Sequence, residues 1–427
     1  MKGYDTHGND EIFSFVVVRN YFSKHALRGP LIADVPHKSL FLNIVIPAFN
    51  EEELHTCLLS LQQACRPDCA VEIIVVINFP DNCETAIKEK SRASFLELNQ
   101  WTMRNSTDGF RFYILLEELP QKDAGVGLAR KIGMDEAARR FDLLTRNEGV
   151  IVCLDADCVV SSNYLTEIEN HFRQNLRTPA ASLRFEHPYE NLAHKHRESI
   201  VMYELFLRYY INALRFADFP FAFQTIGSSM AVRNAVYQKQ GGMNKRKAGE
   251  DFYFLQKLFP LRNFSEINTC CVYPSARNSD RVPFGTGKAI GDMLNGKEFL
   301  FYDFEIFIQL KIFFDCIKNH GFKKTASDIM NSAPPELLEF LLLNNFESKF
   351  EEIKQNVRSE ETFISRFFYW FNGFLVLKAV HFLSEKYYPR KSFNREMVAG
   401  FMNVSATASV SSILDAIRVK DFGNSNF

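Results

Sequence analysis

Between Leu42 and Leu154 the chain repeats one unit: a short apolar run, then a stretch whose apolar residues fall at helical spacing. Asn43-Ile44-Val45-Ile46 reads as a strand halted by Pro47, and the stretch from Glu51 to Cys65 puts Leu54, Leu58, Leu61 and Cys65 on one helical face. Val71–Ile77, Phe110–Leu116 and Val150–Leu154 repeat the apolar run, while Ala86–Asn99 and Val126–Phe141 repeat the helix. Uninterrupted apolar runs are buried on both faces, so such strands need helices above and below them. The alternation therefore predicts an α/β domain with a mostly parallel sheet. Sheets of this kind bind ligands outside the carboxyl ends of their strands. Asn50, Asn78 and Asp155 each follow a strand directly, which places them together on that rim.

The fourth strand gives the rim its chemistry. Gly149-Val150-Ile151-Val152-Cys153-Leu154 ends in Asp155-Ala156-Asp157. Side chains two apart on an extended chain point the same way. Hard cations such as Mg²⁺ and Mn²⁺ prefer carboxylate oxygens and share themselves with a substrate's phosphates. An Asp-x-Asp here suits a clamp for a metal–diphosphate, although two aspartates after a strand are more often a solvated turn.

At 427 residues the chain exceeds one ordinary domain, and its 46% hydrophobic content is ample for a large core. A net charge of −1 gives no basic footprint for nucleic acid. The 42 phenylalanines concentrate after residue 299 and read as an aromatic helical core, with an apolar surface for a partner or lipid acceptor as the alternative. Nine cysteines without the density of a disulfide scaffold fit a reduced, cytoplasmic setting. Cys65 and Cys69 lack a second Cys/His pair to complete a zinc site. Met1-Lys2-Gly3-Tyr4-Asp5 opens no apolar signal segment. Phe367–Leu383 is interrupted by Asn372, Gly373, Lys378 and His381, so it reads as a buried helix; peripheral contact at the inner face of a membrane stays open.

Residues 1–40 are a lead-in with one short strand near Phe13–Val18. After about residue 290 strand signals fade, and Phe299–Lys318, Pro335–Asn345 and Glu361–Lys386 read as helices. The expected organisation is a lead-in (1–40), a catalytic domain (41–290) and a helical C-terminal region (291–427).

Five ordered segments between residues 42 and 285 resemble the family 2 glycosyltransferases, inverting nucleotide-sugar enzymes of GT-A fold. Ile44-Val45-Ile46-Pro47-Ala48-Phe49-Asn50-Glu51 resembles their opening strand and nucleotide-binding turn. Ala124-Gly125-Val126-Gly127-Leu128-Ala129-Arg130-Lys131-Ile132-Gly133 resembles their glycine-rich approach to a helix, with Lys131 where the family has Asn. Leu154-Asp155-Ala156-Asp157 matches the metal motif. Ile226-Gly227-Ser228-Ser229-Met230-Ala231-Val232-Arg233, followed by Gly241-Gly242, resembles the acceptor-side loop, and Gly249-Glu250-Asp251-Phe252 the acidic motif.

The resemblance implies a nucleotide-sugar donor linked to UDP, GDP or dTDP, a glycan or lipid-linked acceptor, and Mn²⁺ or Mg²⁺. It makes Asp157 the metal ligand, with Asp155 touching the donor and helping to hold the metal. Asp251 would be the base that an acceptor hydroxyl needs near neutral pH, with Glu250 orienting the acceptor or tuning Asp251 by like-charge repulsion. The plain alternative is that Glu250-Asp251 caps the helix starting at Phe252. Pro47, Ala48, Asn50 and Glu51 would line the nucleotide turn, and Arg130 would lie near the diphosphate. Many relatives have Asp where Asn78 stands; Asn78 can pair with a base edge or simply serve a turn. Arg277 and Arg281 flank a glycine-containing loop that closes over a diphosphate or stays solvated. His187, His194 and His196 read as exposed helix-surface residues rather than as a lining of the acceptor site. Two other readings stay open: a retaining GT-A transferase that makes a small glycosylated solute, and a transferase-like scaffold without activity.

Overall fold

The computed structural model describes residues 20–278, 285–399 and 409–423. They form two compact units. The first takes the described residues up to Leu183 with Gly227–Phe254 and Leu261–Val272; the second takes Arg184–Ile226, Leu255–Pro260 and the described residues from Tyr273 onward.

The first unit is built on an eight-stranded sheet: β1 (Leu40–Ala48), β2 (Ala70–Pro80), β3 (Phe110–Leu119), β4 (Val150–Cys153), β5 (Cys158–Val160), β6 (Ala180–Phe185), β7 (Met230–Arg233) and β8 (Ser265–Pro274). Their order is β3-β2-β1-β4-β7-β6-β8-β5. The first four are mutually parallel, and β7 runs antiparallel to both β4 and β6. This is the mixed, mostly parallel sheet expected, with flanking helices and a helical C-terminal region. Every residue of β1 is buried, as a strand covered on both faces must be.

Pro47 does not halt β1, which runs through it to Ala48. The Val45 carbonyl accepts from Leu154 N–H, so residues of Val45's parity face β4. The β1–β4 ladder reaches only Val45↔Cys153, so at Pro47 no β4 partner waits for the missing N–H. The sequence reading does not anticipate strands β5 to β8, which are three to ten residues long. The strand expected near Phe13–Val18 lies outside the described residues.

The helix Val126–Leu143 lies on the sheet. A Cβ on Gly133 would stand 2.5 Å from Val45 Cγ1 and 3.0 Å from Val76 Cγ2, so only glycine lets the helix come this close. Charged residues occur all round this helix, yet most are buried, each with a partner. Glu136 accepts from the Leu31 and Ile32 N–H groups, both at 3.1 Å, and Arg140 grips Glu72 with two nitrogens. Asp135 accepts from the hydroxyls of Tyr21 and Tyr237, each at 2.6 Å, while Lys131 Nζ lies 3.0 Å from its other oxygen. The lead-in is thereby strapped to the helix.

The second unit holds the aromatic core. Phe301, Phe307, Phe313, Phe314, Phe340, Phe346, Phe350, Phe363, Phe367, Phe368 and Phe371 are buried together, in helices that include Glu305–His320, Pro335–Leu343, Phe346–Gln355 and Glu360–Trp370. The single helix expected over Glu361–Lys386 is two, Glu360–Trp370 and Gly373–Lys386, bent by 62°. Asn372 breaks it, because its side chain accepts from Phe374 and Leu375 N–H and so starts a new helix. Among the described residues no single helix is long and apolar enough to cross a membrane, though this bent pair together passes on length and composition.

The helices His194–Phe216 and Val410–Gly423 meet at a buried ion cluster. Glu204, fully buried, accepts from His187 N (2.8 Å) and Nδ1 (3.0 Å), Arg208 Nε (2.8 Å), and Arg418 Nε and Nη2 (both 2.8 Å). His187 is therefore an interior residue, not the surface histidine expected; His194 is exposed beside Glu198, and His196 contacts the Ala276 carbonyl.

Candidate active site

From β1 the chain steps outward through β2 to β3, then returns to place β4 on the other side of β1. At such a switch point the loops leaving the two strands part, and ligands bind in the crevice at their carboxyl ends. Here the loop after β1 carries Asn50 and Glu51, and the one after β4 carries Asp155 and Asp157. Asn50 takes φ 45°, a left-handed conformation that Asn tolerates and that turns the chain sharply off the strand.

Asp155 and Asp157 are half-buried. Two thiols lie beneath them: Cys57 Sγ is 3.7 Å from the Asp155 carbonyl, and Cys158 Sγ is 3.8 Å from Asp157 Oδ1. Burial pushes the Cys57 thiol far up, and the charges of Asp157, Asp155 and Glu51 push it further. Cys158 is raised by burial and by both aspartates in the same way, so the two thiols stay protonated and inert.

Arg130 joins this group to the acidic motif. It sits one turn into the Val126–Leu143 helix and is only 1% exposed. Nη2 donates to Asp155 Oδ1 at 2.5 Å, and Nη1 donates to Glu250 Oε1. Burial alone would lower its basicity, but Asp155 and Glu250 outweigh it and hold the guanidinium charged. Glu250 and Asp251 open the helix Glu250–Leu258, following Gly249 at φ 70°. Burial raises Glu250 to about 7, with Asp251 adding and Arg130 opposing. Asp251 is raised too, by burial first and then by Asp155, although Arg130 and the Phe252 N–H pull the other way. A carboxylate shifted toward neutrality is a better proton acceptor.

Glycines let these parts meet. A Cβ on Gly127 would lie 2.2 Å from the Arg246 carbonyl and 3.0 Å from Glu250 Cβ, and one on Gly125 would lie 3.1 Å from Lys247 Cα. The glycine-rich approach is thus a seat for the turn preceding Glu250. On the far side, a Cβ on Gly227 would fall 3.0 Å from both Arg130 Nη1 and Asp251 Oδ2.

Of the residues picked out in the sequence, the structure brings Arg130, Asp155 and Glu250 into direct contact, with Asp251 next to Glu250, Asp157 two positions after Asp155 and Glu51 on the loop after β1. Pro47 and Ala48 are buried at the end of β1. Asn78 does not follow β2 but lies inside it, buried, its amide donating to the Ala48 carbonyl at 2.9 Å. Arg277 is a partly buried residue of the second unit, and Arg281 lies outside the described residues. Cys57, Cys158 and the Arg246 turn were missed; nothing in their local sequence announces them, since each matters through a contact with a distant segment.

A model of the glycosyl transferase family 2 domain matches residues 43–240. The matched stretch runs from β1 to β7 with Arg130, Asp155 and Asp157, and it stops ahead of Glu250 and Asp251. Comparison with curated protein sequences returns no match. Among solved structures the chain is similar to S. aureus TarS 1-349 in complex with UDP-GlcNAc, at 12% identity and TM-score 0.41, over 74% of this chain and 92% of that one. It is also similar to GalNAc-T7 with UDP, GalNAc and Mn²⁺, at 13% identity and TM-score 0.37, over 69% of this chain and 54% of that one.

Proposed function

We propose that the family 2 domain transfers a glycosyl group, with inversion, from a nucleoside-diphosphate sugar to a hydroxyl of a glycan or lipid-linked acceptor. One observation carries the reading: Arg130 joins Asp155, on the loop after β4, to Glu250 of the Glu250-Asp251 pair, at the switch point of the sheet. The acceptor oxygen attacks the anomeric carbon and its proton passes to Asp251. The bond from that carbon to the diphosphate breaks, and the nucleoside diphosphate leaves with the bonding pair.

The donor set suits a divalent ion. Asp155 and Asp157 are hard oxygen ligands, and among the described residues no group of three or more His, Cys, Asp or Glu side chains forms a cage of its own. Mg²⁺ held through one or two carboxylates is commonly completed by substrate phosphates. Asp157 would be the main ligand and Asp155 the second; the bound ion would neutralise charge on the leaving diphosphate. Glu51 and the turn at Asn50 would face the nucleotide. A UDP donor is favoured as the first to try, since both solved relatives named above hold UDP or a UDP-sugar. A cytoplasmic site of action, with the second unit touching a membrane where a lipid-linked acceptor sits, completes the proposal.

A thermal-shift screen of UDP-, GDP- and dTDP-sugars with and without Mn²⁺ tests it. At least one pair should stabilise the protein, and Asp157→Ala should abolish both the metal-dependent shift and turnover. Full metal-dependent turnover by that variant would sink the assignment, and the anomeric configuration of the product, read by NMR, separates inversion from retention.

A further inference from the structure

Arg130 stands between two motifs that lie 25 and 120 positions away in sequence. Its terminal nitrogens are divided, one to Asp155 and one to Glu250, and its side chain is only 2% exposed. Nε is buried too and has no hydrogen-bond partner, so neither terminal nitrogen is turned outward as a fork. A guanidinium that served a diphosphate would have to present its fork to the solvent side. This one presents it to two protein carboxylates.

The helix turn that carries Arg130 is fixed from behind. Lys131 is tied to Asp135, and Asp135 holds the hydroxyls of Tyr21 and Tyr237. Gly133, one turn further on, is seated on Val45. In front, the bare α-carbon face of Gly227 lies between the guanidinium and Asp251: an added Cβ would be 3.0 Å from Nη1, 3.1 Å from Nη2 and 3.0 Å from Oδ2. A side chain there would crowd both the guanidinium and the Asp251 carboxylate.

We propose that Arg130 is a positioning residue, holding the Glu250-Asp251 pair in register with Asp155, and that Gly227 is the spacer that leaves room for both the guanidinium and the Asp251 carboxylate. The role assigned to these residues rests on the transferase reading, whereas the coupling of the two motifs does not. A planar fork can hold two carboxylates at a fixed separation; an ammonium is a single point charge and cannot.

The test uses the full chain with Arg130→Lys, Arg130→Gln and Gly227→Ala, the last of which keeps every charge in place. Calorimetry measures affinity for UDP with Mn²⁺, turnover is followed with the donor found by the screen above, and amide exchange is mapped over residues 154–158 and 246–252. The expected result is affinity within about threefold of wild type, turnover lower by at least about a hundredfold, and no better rescue by Lys than by Gln. Exchange should rise in both stretches in Arg130→Gln and in the 246–252 stretch in Gly227→Ala. A tenfold loss of UDP affinity in Arg130→Gln that Lys restores would make Arg130 a phosphate ligand and overturn the proposal. Wild-type exchange in either stretch of Arg130→Gln overturns the coupling. A wild-type chain that binds no nucleotide refutes the transferase reading, and the exchange result still decides the coupling.

Discussion

Replacing Glu204 with Ala removes the acceptor on which five donor contacts from His187, Arg208 and Arg418 converge. The two arginines would remain buried and charged. Breaking a buried pair by deleting one partner costs about 3–5 kcal/mol. Both arginines keep other acceptors, Arg208 at Asp421 (2.7 Å) and Arg418 at the His187 carbonyl (3.0 Å), so the loss should stay within that range. With a urea slope of about 2–3 kcal/mol/M, the unfolding midpoint would fall by roughly 1–2.5 M. pH supplies a second signature. Burial alone would raise the Glu204 carboxyl, but Arg208, Arg418 and His187 hold it well below the usual range. A depressed carboxylate stabilises the fold above its unfolded value, about 4.3, and that stability is lost as pH falls through the folded value. Wild type should therefore lose stability steeply on acidification below about pH 4.5, and Glu204→Ala should flatten that limb. The measurement is urea denaturation at pH 7 and along an acid series. A midpoint change worth under about 1 kcal/mol, or an unchanged acid limb, would refute the reasoning.

Three further outcomes are expected. Gly127→Ala drives a Cβ to 2.2 Å from the Arg246 carbonyl, so overpacking should cost about 1–3 kcal/mol by thermal denaturation and lower turnover with it. Tyr21→Phe removes one of the two hydroxyls on Asp135 and should cost about 1–3 kcal/mol, with Glu250 and Asp251 untouched; a stability within error of wild type would show that the lead-in braces nothing. Phe367→Ala opens the aromatic core, where Phe367 meets Phe313, Phe346 and Phe371, and should cost about 3–5 kcal/mol in chemical denaturation.

Where sequence and structure agree, the signal was local and periodic. Strands β1 to β4 and the helices between them were legible because apolar runs and helical spacing repeat in turn, and Asp155 and Asp157 stood out because they end such a run. Pro47 misled because its missing hydrogen bond is harmless only where β4 has already stopped, a fact about a strand a hundred residues on. Asn372 was taken for an interruption within one helix when its side chain starts another. Arg130 was picked out by its place beside the glycines, but its burial depends on Glu250, which local pattern does not reveal. His187 looked exposed because its partner Glu204 comes from another turn of chain and Arg418 from farther still.

The Arg418–Glu204 contact spans 214 positions. On a ribosome adding about 5–20 residues per second, Glu204 would be made roughly 10–40 s before the arginine that completes its shell. Through that interval the second unit holds a carboxylate with Arg208 and His187 alone beside it, and the site it belongs to is best left wet until the Val410–Gly423 helix arrives. The ion cluster around Glu204 can therefore close completely only after the Val410–Gly423 helix has been made.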